Sequence, residues 1–204
     1  MICSDAMKLN IPYTIVYKNI KNLYIRIKNG KVVVTAGKHF TKKQIEALID
    51  HHGPSLQKTL AKQSVVMPKY MLFGTEVTEA AFFGRFKPTE AKYLNLLKTA
   101  VEEKIVELTP WLNQMLTILN LSIVPMKVKK LLSKYGSCHV IHREITISSF
   151  MAKIPDIYLK YVVLHEYAHL IEANHSKAFY AQLDKVMPQH KQIQRELRKI
   201  PIQF

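Results

Sequence analysis

The segment from Leu159 to Ser176 constrains the fold more than any other stretch of the chain: Leu-Lys-Tyr-Val-Val-Leu-His-Glu-Tyr-Ala-His-Leu-Ile-Glu-Ala-Asn-His-Ser. Wound as a helix at about 100° per residue, it puts Leu159, Val163, Leu164, Tyr167, Leu170 and Ile171 on the sides away from His165 and His169, so the helix must be buried. Two histidines and Glu166 inside such a helix are costly unless paired or ligated. His165 and His169, four residues apart, project side by side, as two imidazole ligands of one metal ion must. Glu166, turned by about 100° from His165, stands beside that ion, where a carboxylate can hold a bound water without displacing it. The alternative is a core network in which the histidines and the glutamate satisfy one another.

A catalytic zinc takes three protein ligands and leaves one position open. His175 is the third ligand that the spacing favours. Helix pitch alone would carry it off the metal face, so the chain has to turn after Ile171, with Asn174 suited to the turn and Ser176 capping the next helix. Glu196, in a later charged run, is the rival ligand. Cys138, His139 and His142 are candidates for a second metal site, although they fall where a hairpin should turn and expose them. His39, His51, His52 and His190 have no partner at ligand spacing and read as solvated.

Charge narrows the partners. Thirty Lys and Arg against 15 Asp and Glu give the 204 residues a formal charge of +15, so the surface should attract polyanions. The charge does not sit on an arm, since residues 1–86 carry 13 basic and 5 acidic side chains and residues 87–204 carry 17 and 10. Twenty-five of the cations are Lys and five are Arg, whereas base reading favours Arg. The expectation is weak, non-specific nucleic-acid binding. Lys127, Lys129, Lys130 and Lys134 read as a solvated strand face beside the histidines. A 48% hydrophobic, 22% charged composition excludes a disordered chain. The two cysteines, Cys3 and Cys138, cannot build a disulfide framework, Met1–Lys8 lacks the apolar run of a leader, and no stretch approaches the ~20 apolar residues of a membrane span. A cytoplasmic protein with no membrane partner is expected.

Along the chain, Tyr13 to Tyr17, Leu23 to Ile27 and Val32 to Thr35 predict a β-meander, with a tight turn at Asn29-Gly30. Thr41 to Gln44 has capping-box spacing and opens a helix that Gly53-Pro54 should interrupt. A hairpin is expected at Phe73-Gly74-Thr75. From Pro88 a long helix runs to Pro110 and continues, with a kink, through Trp111 to Leu121. Val124 to Leu132 and Glu144 to Phe150 predict two strands joined around Tyr135-Gly136-Ser137-Cys138, and three helices follow. These patterns divide the chain into a β-rich region with one capped helix at 1–86, packed against a domain at 87–204 that carries the histidines.

The residues Lys134-Tyr135-Gly136-Ser137-Cys138, the strand Ile145-Thr146-Ile147-Ser148, the helix Tyr161 to Leu170 and Asn174-His175-Ser176 with Phe179-Tyr180 together resemble the YgjP-like metallopeptidases, relatives of the SprT zincin-like proteases. The ordered similarity spans roughly residues 124–190, and Tyr135 stands where the family usually has Trp. The resemblance implies an α+β, zincin-like metallopeptidase domain, Zn2+ bound by His165, His169 and His175, Glu166 as catalytic base, and the Ile145 strand at the edge of the cleft. A peptide or protein would be the substrate, able to pair with that strand by β-augmentation. Tyr161, Tyr180 and His190 are the candidates for a second oxyanion donor. A DNA-associated protease of the SprT type and a non-catalytic metal-binding domain are the competing readings.

Overall fold

The computed structural model describes residues 11–28, 31–63 and 67–204. Met1–Lys8, Cys3 and the Asn29-Gly30 turn, read above from sequence, lie outside these residues. The chain is α+β and divides into two compact units, residues 1–66 and 67–204. The division falls earlier than the sequence pattern placed it. The reason is an aromatic cluster in which Tyr70 and Phe82 pack against Tyr93, with Phe83 against Tyr70, so that residues 67–84 belong with the long helix that follows.

In the first unit, β1 (Tyr13–Lys18), β2 (Tyr24–Lys28) and β3 (Lys31–Gly37) form one sheet in the order β1-β3-β2. β2 and β3 pair antiparallel as expected, but β1 runs parallel to β3, so the sheet is not a meander. β3 takes the centre because Val32, Val34 and Ala36 are fully buried and need a neighbour on each side. Helix α1 (Lys42–Gln63) starts at the expected capping box, in which the Gln44 N–H donates to Thr41 Oγ1 and the Thr41 N–H donates back to Gln44 Oε1. Pro54 does not interrupt it. Ile45, Ile49, Leu56 and Leu60 lie on one face against the sheet, and that continuous apolar stripe carries the helix across the proline's missing bond.

In the second unit a two-stranded hairpin, β4 (Met71–Leu72) and β5 (Thr75–Glu76), turns at Phe73 and Gly74, both at positive φ. A short helix α2 (Glu79–Phe83) leads to α3 (Glu90–Ile118), capped by Thr89 and continuous through Pro110. The second sheet contains β6 (Met126–Lys129), β7 (Gly136–His139) and β8 (Glu144–Ser148) in the order β6-β8-β7. Two expectations are corrected here. Tyr135 to Cys138 is not the turn between two strands; residues 136–139 are themselves a strand, antiparallel to β8, and the turn lies at 140–143. The Ile145 strand is central, paired on both sides, so β6 and β7 are the sheet's edges, and it is β7, through Gly136, that lines the cleft. Ile145 and Ile147 are fully buried, which explains the central place.

The chain closes with α4 (Asp156–Ala168), α5 (Lys177–Val186) and α6 (His190–Leu197). Leu159, Val163, Leu164 and Tyr167 make α4 the centre of the larger core, as its sequence required. Among the described residues no helix is long and apolar enough to cross a membrane.

Candidate active site

Helix α4 ends at Ala168, and His169 is its C-terminal cap. The N–H groups of Leu170, Ile171 and Glu172 fold back onto Tyr167 and Ala168 carbonyls, which tightens the last turn and leaves Ile171 exposed. The chain then reverses. Ser176 caps α5 as expected, its Oγ accepting the Phe179 N–H, and His175 immediately before it is swung back over α4.

The reversal brings His165, His169 and His175 together, with one ring nitrogen from each within 4.8 Å of the others. His165 Nε2 and His175 Nε2 are 3.0 Å apart. Ligands at about 2.0 Å from a tetrahedral zinc would stand roughly 3.3 Å from one another, so the cluster needs little adjustment to accept one. The outward nitrogens are also held: His165 Nδ1 meets the Tyr161 hydroxyl at 3.3 Å, and His169 Nδ1 meets the Glu172 carbonyl at 3.3 Å. The carbonyl can only accept, which puts the His169 proton on Nδ1 and turns its Nε2 lone pair toward the cluster; the same tautomer serves His165. Burial and the neighbouring imidazoles push the His165 pKa down to about 3, and the same causes lower that of His169. Both are therefore neutral, as a metal ligand must be.

Phe179 is the floor of this cluster. It is fully buried, and its ring lies 4.9, 4.7 and 4.8 Å from those of His165, His169 and His175. Nothing in the sequence pattern marked its contact with all three histidines, because it is brought there only by the reversal.

Glu166 is buried at 6% exposure on the neighbouring face of α4. Burial raises its pKa to about 7, against the opposing pull of Lys134 and of the Cys138 N–H that its carboxylate accepts. β7 reaches it because residue 136 is glycine: a Cβ there would lie 2.7 Å from Glu166 Oε1 and 2.8 Å from Val162 Cγ1. Glu166, His165 and His175 open into a cleft of about 530 Å³ whose other walls include Lys134, Gln194 and Arg198. Tyr135 ties two of those walls together, its hydroxyl lying 3.0 Å from the carbonyl of Leu197 at the end of α6.

The remaining candidates sit elsewhere. Glu196 is engaged by Tyr158 and Gln192 and is not part of the histidine cluster. His139, the last residue of β7, and His142, in the turn after it, are exposed with tilted rings 4.3 Å apart, and with Cys138 they form no ligand group. His190 is not solvated: it is fully buried, with Nε2 3.0 Å from Asp184 Oδ1 and its ring stacked on Tyr180. The sequence missed this because Asp184 lies six residues away across the turn between α5 and α6, a spacing that signals nothing on a single helix.

The family model for the YgjP-like metallopeptidase domain matches residues 85–200. The chain belongs to this family. Within it, the chain is 36% identical over 55 residues to the UTP pyrophosphatase of Escherichia coli (strain K12), a match covering 27% of this chain and 33% of that protein. The aligned part thus spans about a third of the curated relative's length. A similar solved structure is that of the metallopeptidase zymogen of Pyrococcus abyssi abylysin, with a TM-score of 0.40 and 21% identity over 45% of this chain and 95% of that one. The histidine cluster, Glu166 and the cleft all fall inside the matched segment.

Proposed function

We propose that this YgjP-like chain is a zinc-dependent peptidase. The observation that carries the reading is the convergence of His165, His169 and His175 beside the buried Glu166 carboxylate, with His165, His175 and Glu166 lining one cleft. Zinc, when bound, would act as a Lewis acid that polarises the scissile carbonyl and brings a water within reach of deprotonation near neutral pH. His165, His169 and His175 would hold the ion, and the Tyr161 hydroxyl and Glu172 carbonyl fix the orientation of two of them. Glu166 accepts the water proton and passes it to the leaving amine; an affinity for protons near pH 7 suits both halves of that task. Of the donors weighed for the oxyanion, His190 is buried against Asp184 and the Tyr161 hydroxyl is engaged by His165 and Gln194. Tyr180, whose ring stacks 6.3 Å from that of His175, is left to serve. The substrate backbone pairs with the free edge of β7, which passes next to Glu166.

The test pairs metal analysis with turnover. Parent protein carries one zinc per chain, His169→Ala and His175→Ala lose it, and Glu166→Gln keeps it while hydrolysis of an unfolded protein falls at least ~100-fold. Equal cleavage by parent and Glu166→Gln would remove the glutamate from the mechanism.

A second reading, hydrolysis of a phosphoanhydride, is favoured by two observations: Lys134 and Arg198 line the same cleft, and the curated relative is named for acting on UTP. The same Glu166 would deprotonate the attacking water. Pyrophosphate release from UTP, absent in Glu166→Gln, separates this reading from the first.

A further inference from the structure

The cleft has an uneven distribution of charge. Its charged side chains besides the histidines are Glu166, Lys134 and Arg198. The glutamate is buried, whereas both cations are exposed at the walls. The cations come from different elements. Lys134 precedes β7, and Arg198 caps the C-terminal end of α6, where a cation is favoured by the helix carbonyls but where its side chain also faces the cleft. Each is close enough to be felt at the centre, Lys134 by Glu166 and Arg198 by His165 and Tyr161.

A peptide backbone carries no net charge, whereas an anionic group on a substrate in this cleft would meet Lys134 and Arg198 in its walls. An anionic substrate group that reached both side chains would gain charge-assisted hydrogen bonds. The volume of about 530 Å³ leaves room for such a group beside the scissile bond. We propose that Lys134 and Arg198 form an anion subsite next to the histidine cluster, which takes a carboxylate or phosphate of the substrate and sets where it is cut. The inference rests on the cleft being the substrate site, as the hydrolase reading requires. A carboxylate would be the terminus or an acidic side chain of a peptide; a phosphate would belong to a nucleotide.

Calorimetric titration of the full-length, zinc-supplemented protein tests the subsite without turnover. Three ligand sets are compared at about 150 mM salt, where exposed charges are screened: inorganic pyrophosphate, UTP against uridine, and a tetrapeptide acid against its amide. At least one anion should bind, and Lys134→Gln and Arg198→Gln should each weaken it about 10-fold, the loss of one charge-assisted bond. Lys87→Gln and Lys191→Gln, exposed and outside the cleft, serve as controls for bulk charge. Selectivity for the tetrapeptide acid identifies the carboxylate source, and selectivity for pyrophosphate and UTP the phosphate source. The inference is overturned if no anion binds, if the controls weaken binding as much as the cleft variants, or if the cleft variants have no effect. A chain that binds anions through Lys134 and Arg198 but hydrolyses nothing keeps the subsite and loses the hydrolase reading, so the two failures are distinguishable.

Discussion

Gly136 and Glu166 are in such close approach that a single methyl group on residue 136 would stand 2.7 Å from the carboxylate oxygen. The strand that carries Gly136 also presents the Cys138 N–H to that carboxylate. One short strand therefore fixes the position of the proposed base from two points.

Gly136→Ala should displace either the strand or Glu166, because the new Cβ would lie under 3 Å from Glu166 Oε1, Glu166 Cγ and Val162 Cγ1. We expect a loss of about 1–3 kcal/mol in stability, read as a lower melting temperature, with hydrolysis reduced and zinc content retained. Unchanged melting and activity would show that the contact relaxes freely.

The buried acid and imidazole make the metal-free chain respond to pH in opposite directions. For Glu166 the folded pKa, about 7, lies above the ordinary 4.5, so the unfolded chain gives up this proton first. Its favourable contribution is complete below pH 4.5 and drains away as the pH rises to about 7, by about 3 kcal/mol. For His165 the folded pKa, about 3, lies below 6.5, so its contribution is complete above pH 6.5 and is lost as the pH falls toward 3. With metal removed by a chelator, Glu166→Gln should melt higher than the parent at pH 8, and the gap should close near pH 4.5. Parallel melting curves across that range would contradict the burial of a proton-demanding carboxylate.

Tyr161→Phe removes the hydroxyl that meets His165 Nδ1 and leaves the ring in the core. Partners of this kind are worth roughly 10- to 100-fold in metal affinity. Competition with a coloured chelator should show zinc held at least ~10-fold more weakly while the far-ultraviolet circular dichroism is unchanged. Equal affinity would mean that packing against Phe179 alone orients the imidazole.

The net charge of +15 predicts weak nucleic-acid binding that ignores sequence, because the cations are mostly Lys and are spread over the chain. Fluorescence anisotropy with two unrelated duplexes should give the same affinity at low salt and none at physiological ionic strength. A strong preference for one duplex that survives salt would revive the DNA-associated reading.

The sequence by itself determined the parts of this protein that depend on local periodicity. The apolar wrap of Leu159 to Tyr167 required a buried α4, the interval from His165 to His169 put both imidazoles on one side of it, and Thr41-Gln44 and Ser176 marked helix starts through caps that need only neighbours three residues away. Tertiary structure decided what no short interval encodes. Whether β8 is an edge or a centre depends on which strands pair with it, and Ile145 and Ile147, buried on a central strand, show the same alternation as a half-exposed edge would. The stripe that carried α1 through Pro54 exists only against the sheet it packs on. In the site, Phe179 reaches the three histidines, Gly136 reaches Glu166, and Lys134 and Arg198 reach one cleft, because a chain reversal, a strand pairing and a helix packing superpose residues that no single helical or strand interval relates. Those contacts are set by the balance of burial across the whole core, which a single sequence does not display in any one window.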